Sequence, residues 1–283
     1  MTNSKSSPES SVSPSIHPTA IIAPGAVIGH GCSVGPYSII GPRIVLGKNN
    51  HIGPHVVLDG NTTFGDENTV FQFASIGAPP QDLKYHGESS TLTIGNKNII
   101  REYVTIQPGT SGGGMKTTVG DGNLFMATTH VGHDTVVGNA NIMANGAALA
   151  GHVWVGNYVT VGGLSGIHQF VRLGDHCFLG GGAMVVKDIP PFCIAQGDRA
   201  VLAGLNVVGL ERRGLDANVI QQIKSLYRRI FLSPGTWKEK LAAAESEASG
   251  FKEGKFFLEF IGASTRGITL PRGRSRRAAE PEE

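Results

Sequence analysis

A hydrophobic residue recurs at every sixth position along most of this chain. The series of aliphatic and phenylalanine residues runs over residues 16–76, 94–106 and 119–185, with two interruptions. Ile94 lies 18 residues after Ile76, so the first interruption is expected to leave the series in register. Neither a helix nor a simple alternating strand produces a period of six. The pattern therefore requires a different repeating unit.

A period of six is typical of a β-solenoid. Each unit supplies one short strand and one turn, and three units close a triangular coil of about 18 residues. The periodic residue points inward and stacks on its counterpart in the next coil. The 40 glycines suit the corners, where the backbone adopts conformations that other residues resist. The sequence thus predicts a mainly β solenoid over residues 16–190, preceded by a disordered polar tail over 1–15.

Two segments leave the repeat and are predicted to be loops. They are residues 78–93, "APPQDLKYHGESSTLT", and residues 107–118, "QPGTSGGGMKTT". Long loops on a rigid scaffold often carry binding groups, and tolerated insertion is the alternative. The Gly-rich loop matches neither a Walker A motif nor a dinucleotide-binding motif.

Beyond the solenoid, residues 191–270 are predicted to form a C-terminal helical domain. The stretch "LDANVIQQIKSLYRRIFL" has Asp216 as a candidate N-cap, and two further helices are expected in "TWKEKLAAAESEA" and "EGKFFLEFIGAST". The apolar face of the first helix contains Val219, Ile223, Leu226, Tyr227 and Ile230. These helices would cover strand edges at the open end of the solenoid. Residues 271–283 are expected to form a second disordered tail.

Composition narrows the class of protein. A net charge of +2 argues against a general nucleic-acid binder, although residues 211–283 hold 14 Lys+Arg against 10 Asp+Glu. Cys32, Cys177 and Cys193 have neither disulfide-framework nor CxxC spacing, which favours a reducing compartment. No signal peptide and no apolar run of roughly 20 residues is present. We therefore expect a cytoplasmic protein without a membrane span.

Four histidines are brought together by the predicted coils. His130, His133, His152 and His168 lie beside periodic positions that stack in successive coils, so they gather on one edge within roughly 10 to 15 Å. Two chemistries fit such a cluster. One is a zinc site in which His130, His133 and His152 bind the metal, as in a hydratase. The other is acid/base catalysis by one histidine, and a noncatalytic scaffold is a third possibility.

Several motifs outside the cluster indicate a family. They are "HPTA", "FQFASIG", "QDLKYHGE", "HVGHD", "LAGHV", "HQF", "PPFCIAQGDRA", "GLNVVGLERRG" and "STRG". From about residue 16 through residue 268 the chain resembles the acyl-carrier-protein-dependent UDP-N-acetylglucosamine 3-O-acyltransferases, which begin lipid A biosynthesis. The N-acyltransferase of the same pathway shares the solenoid, but the "QDLKY" loop and the "RRG" sequence favour the O-acyltransferase.

The resemblance implies a left-handed β-helix, a homotrimer with sites at subunit boundaries, and acyl transfer without a cofactor or metal. A 3-hydroxyacyl chain would pass from acyl carrier protein to the 3-position of the glucosamine. His133 would be the general base, since a histidine with a pKa near 6.5 can take a hydroxyl proton at neutral pH. Asp134 would orient the imidazole, and the backbone amide of Gly151 would stabilise the oxyanion. No nucleophilic residue is needed.

The resemblance also implies substrate contacts. The nucleotide sugar would contact Asp82, Lys84, His130, His152, His168, Gln169, Asn206, Arg212 and Arg213. Phe178 and Gly181 match the region that measures acyl length, but the sequence leaves open that length and the choice between a 3-hydroxyl and a 3-amino acceptor. Val208 departs from the family, in which an acidic residue is frequent at this position. The acidic carrier would be steered by basic side chains of the helices, including Arg228, Arg229, Lys238 and Lys240.

Overall fold

The computed structural model describes residues 12–272 of the chain. Residues 1–11 and 273–283, which hold most of the two predicted tails, lie outside the described residues. The first strand begins at Ser15, one residue before the predicted start of the solenoid. From there the chain winds through repeated triangular coils and ends in a helical region.

Three sheets form the sides of the prism, and we call them sheets A, B and C. Sheet A contains Ser15–Ile16, Ser33–Val34, His51–Ile52, Thr69–Val70, Ile99–Ile100, Leu124–Phe125, Ile142–Met143, Thr160–Val161, Phe178–Leu179, Cys193–Gln196 and Val201–Leu205. Sheet B contains Ile21–Ile22, Ile39–Ile40, Val57–Leu58, Ser75–Ile76, Thr105–Ile106, His130–Val131, Ala148–Leu149, Gly166–Ile167 and Met184–Val185. Sheet C contains Val27–Ile28, Val45–Leu46, Asn61–Phe64, Thr91–Ile94, Lys116–Val119, Val136–Val137, Trp154–Val155 and Arg172–Leu173.

The stacking follows the hydrophobic period. Val131 pairs with Leu149, which in turn pairs with Ile167, so residues 18 apart occupy the same side of successive coils. The second residue of each of these strands points into the prism and is fully buried, while the first stays partly exposed. Burial of the inward row gives the hydrophobic core that holds the coils together.

A ladder of buried asparagines stabilises the corner between sheets C and A. It consists of Asn50, Asn68, Asn98, Asn123 and Asn141. The Oδ1 atom of Asn98 accepts hydrogen bonds from the backbone N–H and from Nδ2 of Asn123, each at 2.9 Å. Asn98 Nδ2 donates to Asn68 Oδ1 and to the Gly120 carbonyl, also at 2.9 Å. Buried polar groups at this corner are thereby satisfied from coil to coil.

The two interruptions are shorter than predicted, and one register prediction is wrong. Thr91–Ile94 and Lys116–Val119 are strands of sheet C, not parts of the loops. Ile94 pairs with Phe64 on sheet C, whereas Ile76 lies on sheet B. Ile94 therefore does not stack on Ile76. Their separation of 18 residues arises from a loop inserted between consecutive sheets, not from one complete coil.

The C-terminal region begins with strands before it becomes helical. Cys193–Gln196 and Val201–Leu205 form an antiparallel pair that extends sheet A, within the segment that the sequence assigned to helices. Helices α1 (Val207–Arg212), α2 (Ala217–Tyr227), α3 (Trp237–Ala248) and α4 (Lys252–Gly262) follow, with a π-helical turn over Arg228–Leu232. Asp216 caps α2 as expected, since Asp216 Oδ1 accepts the Asn218 N–H at 2.8 Å.

The helices pack against the last coils of the solenoid. Ile220 is buried on α2 together with Ile223 and Leu226, and the predicted Val219 is partly buried and packs against the same core. The guanidinium of Arg172 lies 4.5 Å from the centre of the Phe260 ring, which joins α4 to the outer surface of sheet C. The described residues include no helix long and apolar enough to cross a lipid bilayer.

Candidate active site

A groove of about 530 Å³ lies on the outside of sheet B, next to the corner between sheets B and C. Four neighbouring strands of sheet B contribute one outward residue each to its floor: His130, Ala148, Gly166 and Met184. Ala148 has a small side chain, and the Met184 sulfur lies over Gly166, where a Cβ would come within 3.0 Å of it. His133, Gly151 and His168 line the side of the groove at the corner.

His133 and Asp134 form a hydrogen-bonded pair at this corner. His133 Nδ1 lies 2.9 Å from Asp134 Oδ2, and both residues are 7% exposed. Consecutive side chains of a strand point to opposite faces, but these two residues lie in a turn. Asp134 has a φ of 57°, in the left-handed region, which brings its carboxylate beside the preceding ring. The corner geometry thus allows two neighbours in sequence to act together.

The Gly-rich loop fixes the carboxylate of Asp134. The Thr110 N–H donates to both carboxylate oxygens, at 2.9 and 3.0 Å, and Thr110 Oγ1 donates to Oδ2 at 2.6 Å. A Cβ at Gly113 would overlap the carboxyl group, so a glycine is needed where the loop closes over it. An ionised Asp134 accepts from His133 Nδ1–H, which leaves Nε2 of the ring as a proton acceptor.

Gly151 lies against the His133 ring. A Cβ at this position would overlap Cε1 of the imidazole and lie 2.5 Å from Nε2, so only glycine fits. Within the part of the chain that the structure describes, the Gly151 N–H has no hydrogen-bond acceptor. A free backbone donor is thereby available beside the proton-accepting nitrogen.

Burial keeps two further imidazoles uncharged. Burial lowers the pKa of His130, with a smaller contribution from the nearby His133, and His130 Nδ1 lies 2.7 Å from Thr105 Oγ1. His152 meets the His133 ring edge to face and stacks on Phe170 at 4.5 Å. Burial also lowers the pKa of His152, although the carboxylate of Asp134 opposes this shift. The lowered pKa of each ring favours its neutral form.

His168 is exposed at the groove edge and contacts an arginine from the end of the chain. Arg266 Nη2 lies 2.9 Å from His168 Nδ1, and Arg266 Nε donates to the Val186 carbonyl at 2.9 Å. Gln169 follows His168 and is also exposed in the groove. These polar groups line the groove at the corner between sheets B and C, as His133 does.

The first loop stands beside the same corner. Asp82 Oδ1 accepts the Lys84 N–H at 3.0 Å, which gives the loop a tight turn, and Gln81 lines the groove. Glu88 joins this loop to the Gly-rich loop, since Glu88 Oε1 accepts the Ser111 N–H at 3.1 Å. Backbone N–H donors of Glu88 itself, His86 and Ser111 lower the pKa of Glu88 to about 2. The two loops that interrupt the repeat are thus joined by a hydrogen bond.

Five of the predicted residues lie elsewhere in a single chain. Asn206 caps α1, and its Nδ2 donates to the His176 carbonyl at the corner between sheets C and A. Arg213 lies 4.8 Å from the centre of the Tyr158 ring at that corner, next to the exposed Arg212. Phe178 is on the outside of sheet A, and Gly181 is at the corner between sheets A and B. One chain therefore does not bring these residues to His133.

Comparisons with known proteins identify the family. A family model described as UDP-N-acetylglucosamine O-acyltransferase, domain 2, matches residues 188–269, and one for the bacterial transferase hexapeptide matches residues 25–60. The acyl-[acyl-carrier-protein]–UDP-N-acetylglucosamine O-acyltransferase of Myxococcus xanthus is 51% identical over 254 residues, which cover 90% of this chain and 98% of the relative. This chain belongs to that family.

Solved structures agree with the assignment. The UDP-N-acetylglucosamine O-acyltransferase of Moraxella catarrhalis superposes with a TM-score of 0.88 at 39% identity, covering 90% of this chain and 99% of the other. The Francisella novicida enzyme gives a TM-score of 0.89 at 35% identity, with 95% and 99% coverage. The predicted fold, a left-handed parallel β-helix followed by a C-terminal helical region, is confirmed.

Thr110 and Arg266, which hold side chains of the site in place, were not predicted from the sequence. Thr110 lies in a loop whose path no repeat determines, so its contact with Asp134 had no sequence signal. Arg266 belongs to the "STRG" motif that supported the family resemblance, and that motif could have directed attention to it.

The residues that could bind a metal ion in the structure differ from those of the predicted zinc site. Ligand atoms within 4.8 Å of one another belong to His133, Asp134 and His152, and this group lacks the third imidazole, His130, of the predicted zinc site.

Proposed function

We propose that this protein transfers a 3-hydroxyacyl chain from acyl carrier protein to the glucosamine 3-hydroxyl of UDP-N-acetylglucosamine, with His133 as the general base. The observation that carries the proposal is the buried Thr110–Asp134–His133 series of hydrogen bonds, which ends at a groove. Relatives named for this acyl transfer, at 46 to 51% identity over most of the chain, support it.

We also propose that the protein is cytoplasmic, because its three free cysteines suit a reducing compartment.

The reaction is a direct transfer. His133 Nε2 takes the proton of the 3-hydroxyl while the sugar oxygen attacks the thioester carbonyl carbon. The Gly151 N–H donates to the oxyanion of the tetrahedral intermediate. When the intermediate collapses, the carbon–sulfur bond breaks and the imidazolium returns its proton to the carrier thiolate. Asp134 stabilises the imidazolium between these two steps and needs no proton of its own.

The remaining groove residues bind the sugar. Neutral imidazoles at His130 and His152 form hydrogen bonds to sugar hydroxyls without competing with His133 for the transferred proton. His168 and Gln169 contribute from the corner side of the groove, and Asp82 and Lys84 from the loop. The small side chain of Ala148 in the groove floor gives room for the acyl chain.

A homotrimer completes the site. Asn206, Arg212 and Arg213 lie at a different corner from His133, so in this proposal they reach the groove of a neighbouring subunit. Guanidinium groups suit the paired oxygens of a diphosphate. Phe178 and Gly181 would contact the acyl chain where two prisms meet. The trimer is therefore part of the mechanism and not only a mode of assembly.

The helical region is the proposed docking surface for the acidic carrier. Arg228 and Arg229 are exposed beyond α2, and Lys238 is exposed on α3. Arg229 Nε lies 3.8 Å from a carboxylate oxygen of the half-buried Glu247, a long contact that offsets only part of the charge on Arg229. Lys240 follows Lys238 by two residues on α3 and is half-buried. Surface charges of this kind act mainly by steering the partner.

Mass spectrometry of the product tests the reaction class. The purified protein is incubated with UDP-N-acetylglucosamine and 3-hydroxyacyl carriers of several chain lengths, and separately with the 3-amino analogue of the sugar. We expect one added 3-hydroxyacyl group on the 3-oxygen, with a preference for one chain length. A hydratase or a noncatalytic scaffold would give no acylated sugar with any carrier, and that result would overturn the proposal. Zinc bound in a one-to-one ratio and required for activity would instead favour the hydratase.

A further inference from the structure

The segment after α4 folds back onto the last coil of the solenoid. Its anchor is Asp188, which is fully buried. Ser264 Oγ donates to Asp188 Oδ2 at 2.7 Å, the Asp188 N–H donates to the Gly267 carbonyl at 3.0 Å, and the Thr269 N–H donates to the Asp188 carbonyl at 2.9 Å. The carboxylate also accepts the Arg172 N–H at 2.8 Å. This segment is therefore held firmly beside the groove.

Arg266 extends from this anchored segment to the groove. Its Nε donates to the Val186 carbonyl, and its Nη2 lies 2.9 Å from His168 Nδ1. The Val186 bond fixes the plane of the guanidinium, so the second N–H is aimed at the imidazole. Nothing in the acid/base series of Thr110, Asp134 and His133 involves this contact.

The contact with Arg266 determines which ring nitrogen of His168 carries the proton. A guanidinium only donates hydrogen bonds, so His168 Nδ1 must be unprotonated in order to accept one. The ring proton then lies on Nε2. A competing arrangement is available, because the Gln169 carbonyl lies 3.3 Å from His168 Nδ1 and would accept a proton carried there. Arg266 decides between these two tautomers.

We propose that Arg266 is a positioning residue that holds His168 in the Nε2–H tautomer, so that Nε2 donates a hydrogen bond to the sugar nucleotide in the groove. His168 lines the groove, and Nε2 is the polar ring atom left free by the Arg266 contact. This inference rests on the proposed function for the identity of the ligand. It assigns a role to the "STRG" motif, which the catalytic steps leave without one.

Steady-state kinetics give the first test. In Arg266→Met the competing tautomer becomes accessible and Nε2 loses its proton, so the KM for UDP-N-acetylglucosamine should rise about ten-fold, the effect of one hydrogen bond to the ligand. The KM for the acyl carrier and kcat should stay within about three-fold, because His133 is untouched. Thr269→Val is the matched control. It removes the Thr269 Oγ1 bond to the Lys187 carbonyl from the same segment and leaves Arg266 in place, so both KM values should be unchanged.

Nitrogen NMR of the ring gives the second test and does not depend on turnover. In ¹⁵N-histidine-labelled protein, with His168→Gln used for assignment, we expect an unprotonated Nδ1 and a protonated Nε2 at His168. Arg266→Met should reverse or mix these signals, and Thr269→Val should not. Identical ring signals in Arg266→Met and the parent protein would overturn the inference, as would an equal rise of KM in Thr269→Val. If the parent protein forms no acylated sugar, the proposed function fails while the tautomer assignment is still decided by the NMR result.

Discussion

At the scale of single residues, the site depends on a left-handed corner. The positive φ of Asp134 turns its carboxylate towards His133, and Thr110 holds it there with three hydrogen bonds. A carboxylate that is fully hydrogen-bonded can orient an imidazole and stabilise its charged form without moving. The pairing is therefore set before any substrate arrives.

We predict that Asp134→Asn lowers kcat by roughly 10² to 10⁴-fold, because an amide cannot stabilise the imidazolium and its NH₂ group opposes the Thr110 donors. The KM for UDP-N-acetylglucosamine should change much less. The measurement is kcat at saturating concentrations of both substrates. Asp121→Asn is the matched control, since Asp121 accepts bonds in an exposed ladder away from the groove. A kcat within about three-fold of the parent in Asp134→Asn would contradict the orienting role.

Sequence reasoning predicted the histidines of the site but not all of their partners. His130, His133 and His168 line one groove because the 18-residue coil brings their positions together, and that coil is visible in the hydrophobic period. Thr110 and Arg266 reach the site across 24 and 98 residues respectively. No period links them to Asp134 or His168, so only the folded chain reveals these contacts.

At the scale of elements, the short strands depend on the corners as much as on the core. Most strands of the coils are two residues long and make few bonds of their own. The buried asparagine ladder supplies directional contacts at the corner between sheets C and A, where the chain has to turn sharply. Loss of one rung would leave polar groups of two neighbouring coils unsatisfied.

We predict that Asn98→Ala lowers the free energy of unfolding by about 2 to 4 kcal/mol, because it removes four buried hydrogen bonds and leaves their partners without water. Asn96→Ala, in the half-exposed ladder of the same turn, should cost less, about 1 kcal/mol, because water can reach and replace most of its contacts. Urea unfolding of the two variants side by side is the measurement. Equal destabilisation would show that burial does not govern the ladder.

The six-residue hydrophobic period predicts strands only where the repeat is unbroken. The period predicts the strands correctly within unbroken coils, but it fails at Ile94. There the inserted loop has a length that preserves the six-residue spacing, so the sequence alone does not distinguish it from one complete coil. The short α1 was not predicted, since Gly209 lies within it and its stability comes from the Asn206 cap. The antiparallel strands Cys193–Gln196 and Val201–Leu205 lack the six-residue period and are held by their pairing with sheet A.

At the scale of the whole molecule, the proposed substrate residues are divided between corners. His133 lies between sheets B and C, whereas Arg213 lies between sheets C and A. In the proposed trimer, the flat sides of the prisms pack beside one another and one chain's arginines face the groove of the next. Closed symmetric trimers would form three equivalent sites in this way.

We predict that two inactive variants restore activity when they are mixed. His133→Ala and Arg213→Ala subunits, unfolded together and reassembled at a one-to-one ratio, should recover about a quarter of the parent activity, since one site in four then receives both intact residues. His133→Ala mixed with Asp134→Asn is the control and should recover nothing, because both residues belong to the same corner of one chain. Failure of the first mixture, with trimers confirmed, would show that Arg213 does not act across subunits.

The most direct test of the central claim is the kcat of His133→Ala at saturating acyl carrier and UDP-N-acetylglucosamine. Removal of a general base should lower kcat by roughly 10² to 10⁴-fold. The affinity for the nucleotide sugar, measured by calorimetry, and the unfolding midpoint should stay close to those of the parent. A correctly folded His133→Ala protein with a kcat within about ten-fold of the parent would contradict the account.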